Sequence, residues 1–85
     1  MMGTHLIDDH CHWPWAVPNG AYGRIGGVWY ARTPNGLMAN LGNHRITEHH
    51  DGTITVFPSI LVTGGGDEPD ATYHGFLEAG VWRDA

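Results

Sequence analysis

The sequence predicts an all-β fold, a small antiparallel meander that forms a compact barrel or sandwich, with an irregular N-terminal arm. The main signal is Asp51-Gly52, which stands between the alternating runs His44–His50 and Thr53–Phe57. Asp-Gly in that setting is the strongest short-range indication of a β-hairpin. Pro34-Asn35-Gly36 marks another turn, because proline presets φ and Asn-Gly accepts positive φ. No window of helical length carries a capped apolar stripe.

The first part of the chain contains the predicted arm and the first predicted hairpin. Residues 1–20 mix aromatic residues with Pro14 and Pro18, and proline forces extended or turn geometry on the residue before it. The meander is predicted over residues 27–85. Val28–Thr33 is aromatic and β-branched, and Leu37–Leu41 is its expected return strand.

The run Thr53–Phe57 gives the clearest strand pattern. Alternation directs Ile54 and Val56 to one face and Phe57, with the threonines, to the other. Pro58 cannot donate to a ladder, so we expect it to limit pairing before the short apolar run Ser59–Val62.

A final hairpin and the core complete the prediction. Residues 63–71 are glycine-rich and acidic and predict a loop, after which Tyr73–Leu77 and Val81–Arg83 pair around Glu78-Ala79-Gly80. The predicted core consists of apolar strand residues: Val28, Tyr30, Leu41, Ile46, Ile54, Val56, Ile60, Val62, Phe76 and Val81.

Length and composition limit the class of protein. At 85 residues the chain is expected to form one domain, and its single cysteine, Cys11, excludes an internal disulfide and fits a reducing cytoplasm. Four arginines, no lysine and a net charge of −5 leave no basic stripe, so we expect no duplex nucleic acid and no acidic membrane surface as partners. No apolar stretch of about 20 residues is present to span a membrane.

Much of the chain after residue 28 resembles one group of sequences. Glu48–Val62 reads EHHDGTITVFPSILV, His74–Arg83 reads HGFLEAGVWR, and Trp29–His44 precedes them. Together these segments resemble a group of small proteins encoded by bacteriophages of actinobacteria. The resemblance implies a phage origin and action inside a bacterial cell, and it implies no active site.

The segment Asp8–His12 is a candidate metal site. His10, Cys11 and His12 are candidate zinc ligands, because zinc prefers imidazole and thiolate donors in a tetrahedron. The segment contains no CxxC or HExxH spacing. The sequence therefore favours the alternative interpretation, a polar arm with solvated histidines, and zinc stays open as a possible cofactor.

Histidines on the predicted strands form another candidate site. Neighbours on a strand face opposite sides, so only one of His49 and His50 could meet His74 across a sheet. Such a pair could transfer protons near neutral pH, but no serine or cysteine nucleophile motif accompanies it. The favoured interpretation is a turn position for His50 and a structural hydrogen bond for His74.

Tryptophans and arginines provide the candidate binding residues. An exposed tryptophan beside an arginine stacks planar ligands or anchors an interface, and a guanidinium binds phosphate with paired hydrogen bonds. For Trp29 and Trp82 the favoured alternative is a core position. The predicted ligand-binding residues are Trp13, Trp15, Arg24, Trp29, Arg32, Arg45, His49, His74, Trp82 and Arg83.

The sequence as a whole favours binding over catalysis. We expect a non-enzymatic counter-defence protein in the host cytoplasm, which sequesters a small nucleotide-like ligand or blocks a host protein. Short exposed edge strands favour a homo-oligomer. Two alternatives stay open: a zinc-binding protein or metal-dependent hydrolase that uses Asp8–His12, and a minor structural protein of the virion.

Overall fold

The structure, a computed structural model, describes residues 1–6, 17–64 and 71–85. Within these ranges the chain is all-β, which confirms the predicted fold class. The strands are β1 (Thr4–Leu6), β2 (Ala21–Ile25), β3 (Val28–Arg32), β4 (Met38–Asn40), β5 (Arg45–Glu48), β6 (Ile54–Thr63), β7 (Thr72–Glu78) and β8 (Val81–Asp84).

The described strands form two four-stranded sheets that follow one another along the chain. The first sheet has the order β1-β2-β3-β4 and the second has the order β5-β6-β7-β8. Neighbouring strands are antiparallel except β1 and β2, which pair in parallel. Among the described strands neither sheet closes on itself, so the architecture is sandwich-like rather than a closed barrel.

Two-residue turns with positive φ connect strands in both sheets. Gly26-Gly27 joins β2 to β3 with φ of 58° and 83°, and Ala79-Gly80 joins β7 to β8 with φ of 47° and 78°. Positive φ at both central positions is the pattern of the turn whose twist matches that of a hairpin. Within the described ranges, Ala79 is the one residue other than glycine that has a positive φ.

The hairpin predicted at Asp51-Gly52 is present. The backbone N–H of His49 donates to the carbonyl of Thr53 at 2.9 Å. Asp51 Oδ1 accepts hydrogen bonds from the Thr53 hydroxyl at 2.7 Å and from the Thr53 backbone N–H at 3.1 Å. These bonds, the hydroxyl first, hold the pKa of the Asp51 carboxyl below its ordinary value.

The first strands begin earlier in the chain than predicted. The sequence predicts an irregular arm over residues 1–20 and a meander from residue 27, whereas β1 and β2 both precede that point. Strand β1 has only three residues, too few to show alternation, and β2 was identifiable from the Gly26-Gly27 turn signal. Residues 7–16 of the predicted arm and residues 65–70 of the predicted acidic loop lie outside the described residues.

The prediction that Pro58 limits strand pairing was wrong, because the strand continues through it. Strand β6 runs from Ile54 to Thr63 through a cis Phe57-Pro58 bond. Val56 pairs with Leu77 and Ile60 pairs with Gly75, so the register shifts between them. The proline is thus accommodated in a bulge, where a missing N–H donor does not end the ladder.

Part of the predicted core faces the wrong way. Leu41, Ile54, Val56 and Ile60 are buried, and Ile46 and Val62 pack against the core. Val28, Tyr30 and Phe76 are only half-buried and Val81 is exposed, because the alternate residues of β3, β7 and β8 supply the core. Those strands carry large side chains on both faces, so alternation did not identify the inner one. The core cluster is Tyr22, Trp29, Ala31, Leu37, Ala39, Leu41, Ile54, Val56, Ile60, Tyr73, Leu77 and Trp82.

Trp82 joins the N-terminal segment to the second sheet. Its backbone N–H donates to the Met1 carbonyl at 2.7 Å, and the Met1 nitrogen donates to the Trp82 carbonyl at 3.1 Å. Its indole Nε1 donates to the Gly20 carbonyl at 2.8 Å, and Gly3 N–H donates to the Gly80 carbonyl at 2.7 Å. The chain therefore passes from an antiparallel contact with β8 directly into β1 of the first sheet.

The conformation of Ala79 gives a stability prediction. We expect Ala79→Asn to raise the free energy of unfolding by about 0.5–1 kcal/mol, because asparagine tolerates positive φ better than alanine. Its backbone N–H keeps the hydrogen bond to Thr55 Oγ1 at 2.9 Å. Urea unfolding measures the change, with Ala85→Asn at an exposed position as the control. Equal or lower stability of the Ala79 variant would contradict the prediction.

Candidate binding surface

One face of the second sheet points away from the core, and we call it the outer face. Within it Arg45 pairs with Phe57, and Phe76 pairs with Arg83. Because Val56 pairs with Leu77, the two phenylalanines follow on adjacent strands. The four side chains form a row across β5, β6, β7 and β8, on the order of 14 Å long at the strand spacing of about 4.8 Å. The outer face comprises Arg45, Phe57, Ser59, Leu61, His74, Phe76 and Arg83.

Large apolar side chains are exposed at the centre of the outer face. Phe57 is 66% exposed and Leu61 is 61% exposed. Phe76 is half-buried, and the guanidinium carbon of Arg83 lies 5.4 Å from its ring centroid. A folded monomer gains nothing from exposed phenylalanine and leucine in the middle of a sheet, and such surfaces are typical of interaction sites.

Histidines hold the bulge that shapes this surface. His44 Nε2 lies 3.3 Å from the carbonyl oxygen of Ser59 and is placed to donate to it. His74 Nε2 lies 3.0 Å from the Ser59 hydroxyl. Both contacts meet at Ser59, between Phe57 and Leu61, and they fix the backbone that carries the two exposed apolar side chains.

Positive charge flanks the apolar centre. Arg83 forms an ion pair with Glu78 as well as stacking on Phe76. Arg45 at the opposite edge is exposed and makes no ion pair within the described ranges. The chain carries four arginines and a net charge of −5, so two of its four fixed cations lie on this one face.

A separate aromatic cluster lies on the first sheet beside the Asp51-Gly52 turn. The His5 ring stacks on Tyr22 with centroids 5.3 Å apart and lies 5.4 Å from the Trp29 ring. His5 Nδ1 is 2.5 Å from the Gly52 carbonyl oxygen and donates to it. Burial, and secondarily the Asp51 charge, raises the pKa of Tyr22. These contacts tie the first sheet to the hairpin of the second.

Arg24 covers the rim of this aromatic cluster. Its guanidinium carbon lies 5.7 Å from the Trp29 ring centroid, and Nη1 lies 3.9 Å from a Glu48 carboxylate oxygen. Both charged side chains are more than half exposed, so this ion pair contributes little to stability.

An open groove of about 470 Å³ lies where the β3–β4 turn meets the ends of β7 and β8. Tyr73 is 7% exposed, and its hydroxyl makes no hydrogen bond of good geometry. Burial first, then the charge of the nearby Asp84 and the interaction of the hydroxyl with that carboxylate, raise the pKa of Tyr73. The lining residues are Pro34, Asn35, Thr72, Tyr73, His74 and Asp84.

The predicted ligand-binding residues are distributed over several places. Trp29 and Trp82 are buried, in agreement with the core interpretation. Arg32 is half-buried, and its Nη1 donates to the Val17 carbonyl at 3.0 Å. His49 is exposed, and its Nε2 lies 2.7 Å from Thr55 Oγ1. Trp13 and Trp15 lie outside the described residues, as do the candidate zinc ligands His10, Cys11 and His12.

The outer face brings three of the predicted residues together, namely Arg45, His74 and Arg83. It adds apolar partners that sequence reasoning did not select. Phe57 could have been found, because alternation already placed it opposite Ile54 and Val56 on a face shared with threonines. Leu61 was missed because Pro58 was expected to interrupt the strand, so that Ser59–Val62 was taken as a separate buried run. Strand β6 continues through Pro58 with its alternation unchanged, which places Leu61 on the same face as Phe57.

Comparison with known proteins does not assign this surface. No protein-family model, no curated protein and no solved structure matches the chain. In residues 1–6, 17–64 and 71–85, no three His, Cys, Asp or Glu side chains are grouped to hold a metal ion. The same ranges contain no helix long and apolar enough to cross a membrane.

Proposed function

We propose that this chain is a non-enzymatic binding protein that docks another protein on the outer face of its second sheet. The observation that carries the proposal is the exposure of Phe57 and Leu61 at the centre of that face, 66% and 61% respectively. Interface anchors are typically aromatic residues and arginines that lose water in the centre of a contact. The row Arg45, Phe57, Phe76 and Arg83 offers both types.

The flanking charges define the chemistry of the partner. Arg45 is exposed and unpaired in the described part of the chain, and the Arg83 guanidinium is shared between Phe76 and Glu78. A complementary surface would present apolar side chains to Phe57 and Leu61 and a carboxylate to Arg45. The net charge of −5 opposes long-range attraction to an acidic partner, so affinity would come from short-range burial.

The biological setting is part of the same proposal. The likeness of Glu48–Val62 and His74–Arg83 to small proteins of actinobacterial phages supports a counter-defence role in the host cytoplasm, exerted by blocking a host protein. A homo-oligomer belongs to the proposal as well, because β4 and β5 are short exposed edge strands.

A site-specific photo-crosslinker tests the docking surface. Benzoylphenylalanine in place of Phe57 or Leu61 should yield discrete adducts in a lysate of an actinobacterium. The same residue in place of Asn40, which is exposed on the first sheet, is the control and should yield none. Arg45→Glu added to the Phe57 crosslinker variant should reduce the adduct at least about fivefold, since it places repulsion where a carboxylate is expected.

The outcomes separate the possible occupants. Adducts of equal yield from position 40, or none from positions 57 and 61, would contradict the docking proposal. A crosslinked dimer of the chain would show that a second copy, and not a host protein, occupies the outer face.

A nucleotide-like ligand is the second candidate, favoured by the stacking of Arg83 on Phe76. A base could stack on Phe57 while a phosphate meets Arg45, since aromatic rings on a sheet face accept any base. Cyclic and ADP-ribose-type nucleotides should then raise the Tm of the wild-type protein and leave that of Phe57→Ser unchanged. No shift in the wild-type protein with any of them would exclude this candidate.

A further inference from the structure

The groove between the sheets has the features of a built site. It is lined by Pro34 and Asn35 of the first sheet together with residues of the second, namely Thr72, Tyr73, His74 and Asp84, of which His74 also belongs to the outer face. Asn35 Nδ2 donates to the Thr72 carbonyl at 3.2 Å, which joins the two walls. Its volume of about 470 Å³ falls within the range of small-molecule sites.

The groove contains a buried polar group whose hydrogen bonding is incomplete. Tyr73 is 7% exposed, and its hydroxyl makes no hydrogen bond of good geometry, although the Asp84 carboxylate is near enough to interact with it. Such an arrangement costs stability. A Cβ on Gly75 would collide with this hydroxyl and would lie 2.6 Å from the Arg83 carbonyl oxygen. The absence of a side chain at Gly75 therefore makes room for the Tyr73 hydroxyl, although the hydroxyl in this position does not stabilise the fold.

The charge of the groove favours a positively charged ligand. Asp84 is exposed, forms no ion pair in the described part of the chain and contributes the one carboxylate among the lining residues. His74, the other titratable side chain at the rim besides Tyr73, is engaged with Ser59. A phosphate would meet repulsion from Asp84, whereas a cation would be attracted.

We propose that this groove binds an organic cation, a guanidinium or alkylammonium group on a short apolar stem, with the Asp84 carboxylate as its counter-ion. Pro34 and the Tyr73 ring form the apolar wall for the stem. The Tyr73 hydroxyl keeps its proton in neutral solution and already lies close to the Asp84 carboxylate. A cation that fixes this carboxylate over the groove would complete the hydrogen bond from the hydroxyl. The site is distinct from the Phe57 and Leu61 centre proposed for docking, although His74 borders both.

Titration of the ¹⁵N-labelled protein with agmatine tests the site, because agmatine carries a guanidinium and an ammonium on a four-carbon stem. Amide shifts should concentrate at Asn35, Thr72 and Asp84, with a Kd on the order of 1 mM for one exposed ion pair and a short stem. Asp84→Asn should weaken binding at least about tenfold. Glu48→Gln removes one charge from an exposed carboxylate elsewhere and should leave the Kd unchanged.

Tyr73→Phe provides a second readout that does not depend on the fold of the Asp84 variant. Without ligand it should be at least as stable as the wild type, because the buried hydroxyl that it removes makes no hydrogen bond of good geometry. It should bind agmatine about threefold more weakly. Equal weakening by Asp84→Asn and Glu48→Gln, or agmatine shifts scattered outside the groove, would overturn the proposal. Groove shifts with AMP in place of agmatine would overturn it in favour of an anion site.

Discussion

The junction at Trp82 is the interaction on which the rest of the structure depends. In the described residues the strands form two four-stranded sheets, and an 85-residue chain has little core with which to hold them together. Trp82 is 3% exposed, packs edge-on against Tyr73 with centroids 5.6 Å apart, and donates its indole N–H to Gly20. Its backbone pairs with Met1, from which the chain enters β1. One residue thus combines apolar burial, a buried hydrogen bond and the backbone link between the sheets.

Because Trp82 and the other core residues of the second sheet lie on its inner face, the side chains of the outer face do not pack in the core. The large side chains that serve the core, among them Leu77 and Trp82, alternate with Phe76 and Arg83, which do not. Strand β6 divides its faces in the same way, because Phe57 and Leu61 are exposed while Val56 and Ile60 are buried, and the bulge at Pro58 leaves this alternation unchanged. The exposed apolar surface is therefore a consequence of how the strands divide their two faces, and folding does not require it.

Sequence reasoning succeeded where turn chemistry dominates. The hairpins at Asp51-Gly52 and at Ala79-Gly80 depend on a glycine with positive φ, and both were predictable from the amino-acid sequence of the turn. It failed where a choice between two faces decided the outcome, because Val28 and Trp29, or Val81 and Trp82, are both suitable for burial. The outer face was only partly predictable. Arg45, His74 and Arg83 were selected as polar candidates, whereas Leu61 was missed because Pro58 was expected to interrupt the strand that carries it, although β6 continues through that residue.

The central claim is that the inner face of the second sheet stabilises the fold, whereas its outer face does not. The free energy of unfolding of the double variant Phe57→Ser/Leu61→Ser tests this most directly. Urea unfolding at several protein concentrations should give a value within about 1 kcal/mol of the wild type, because exposed side chains contribute little to folding. Trp82→Phe measured alongside should lose about 2 kcal/mol or more, since it removes a buried hydrogen bond and leaves a cavity. A loss by the serine variant as large as that of the Trp82 variant would contradict the account, because the outer face would then serve the fold.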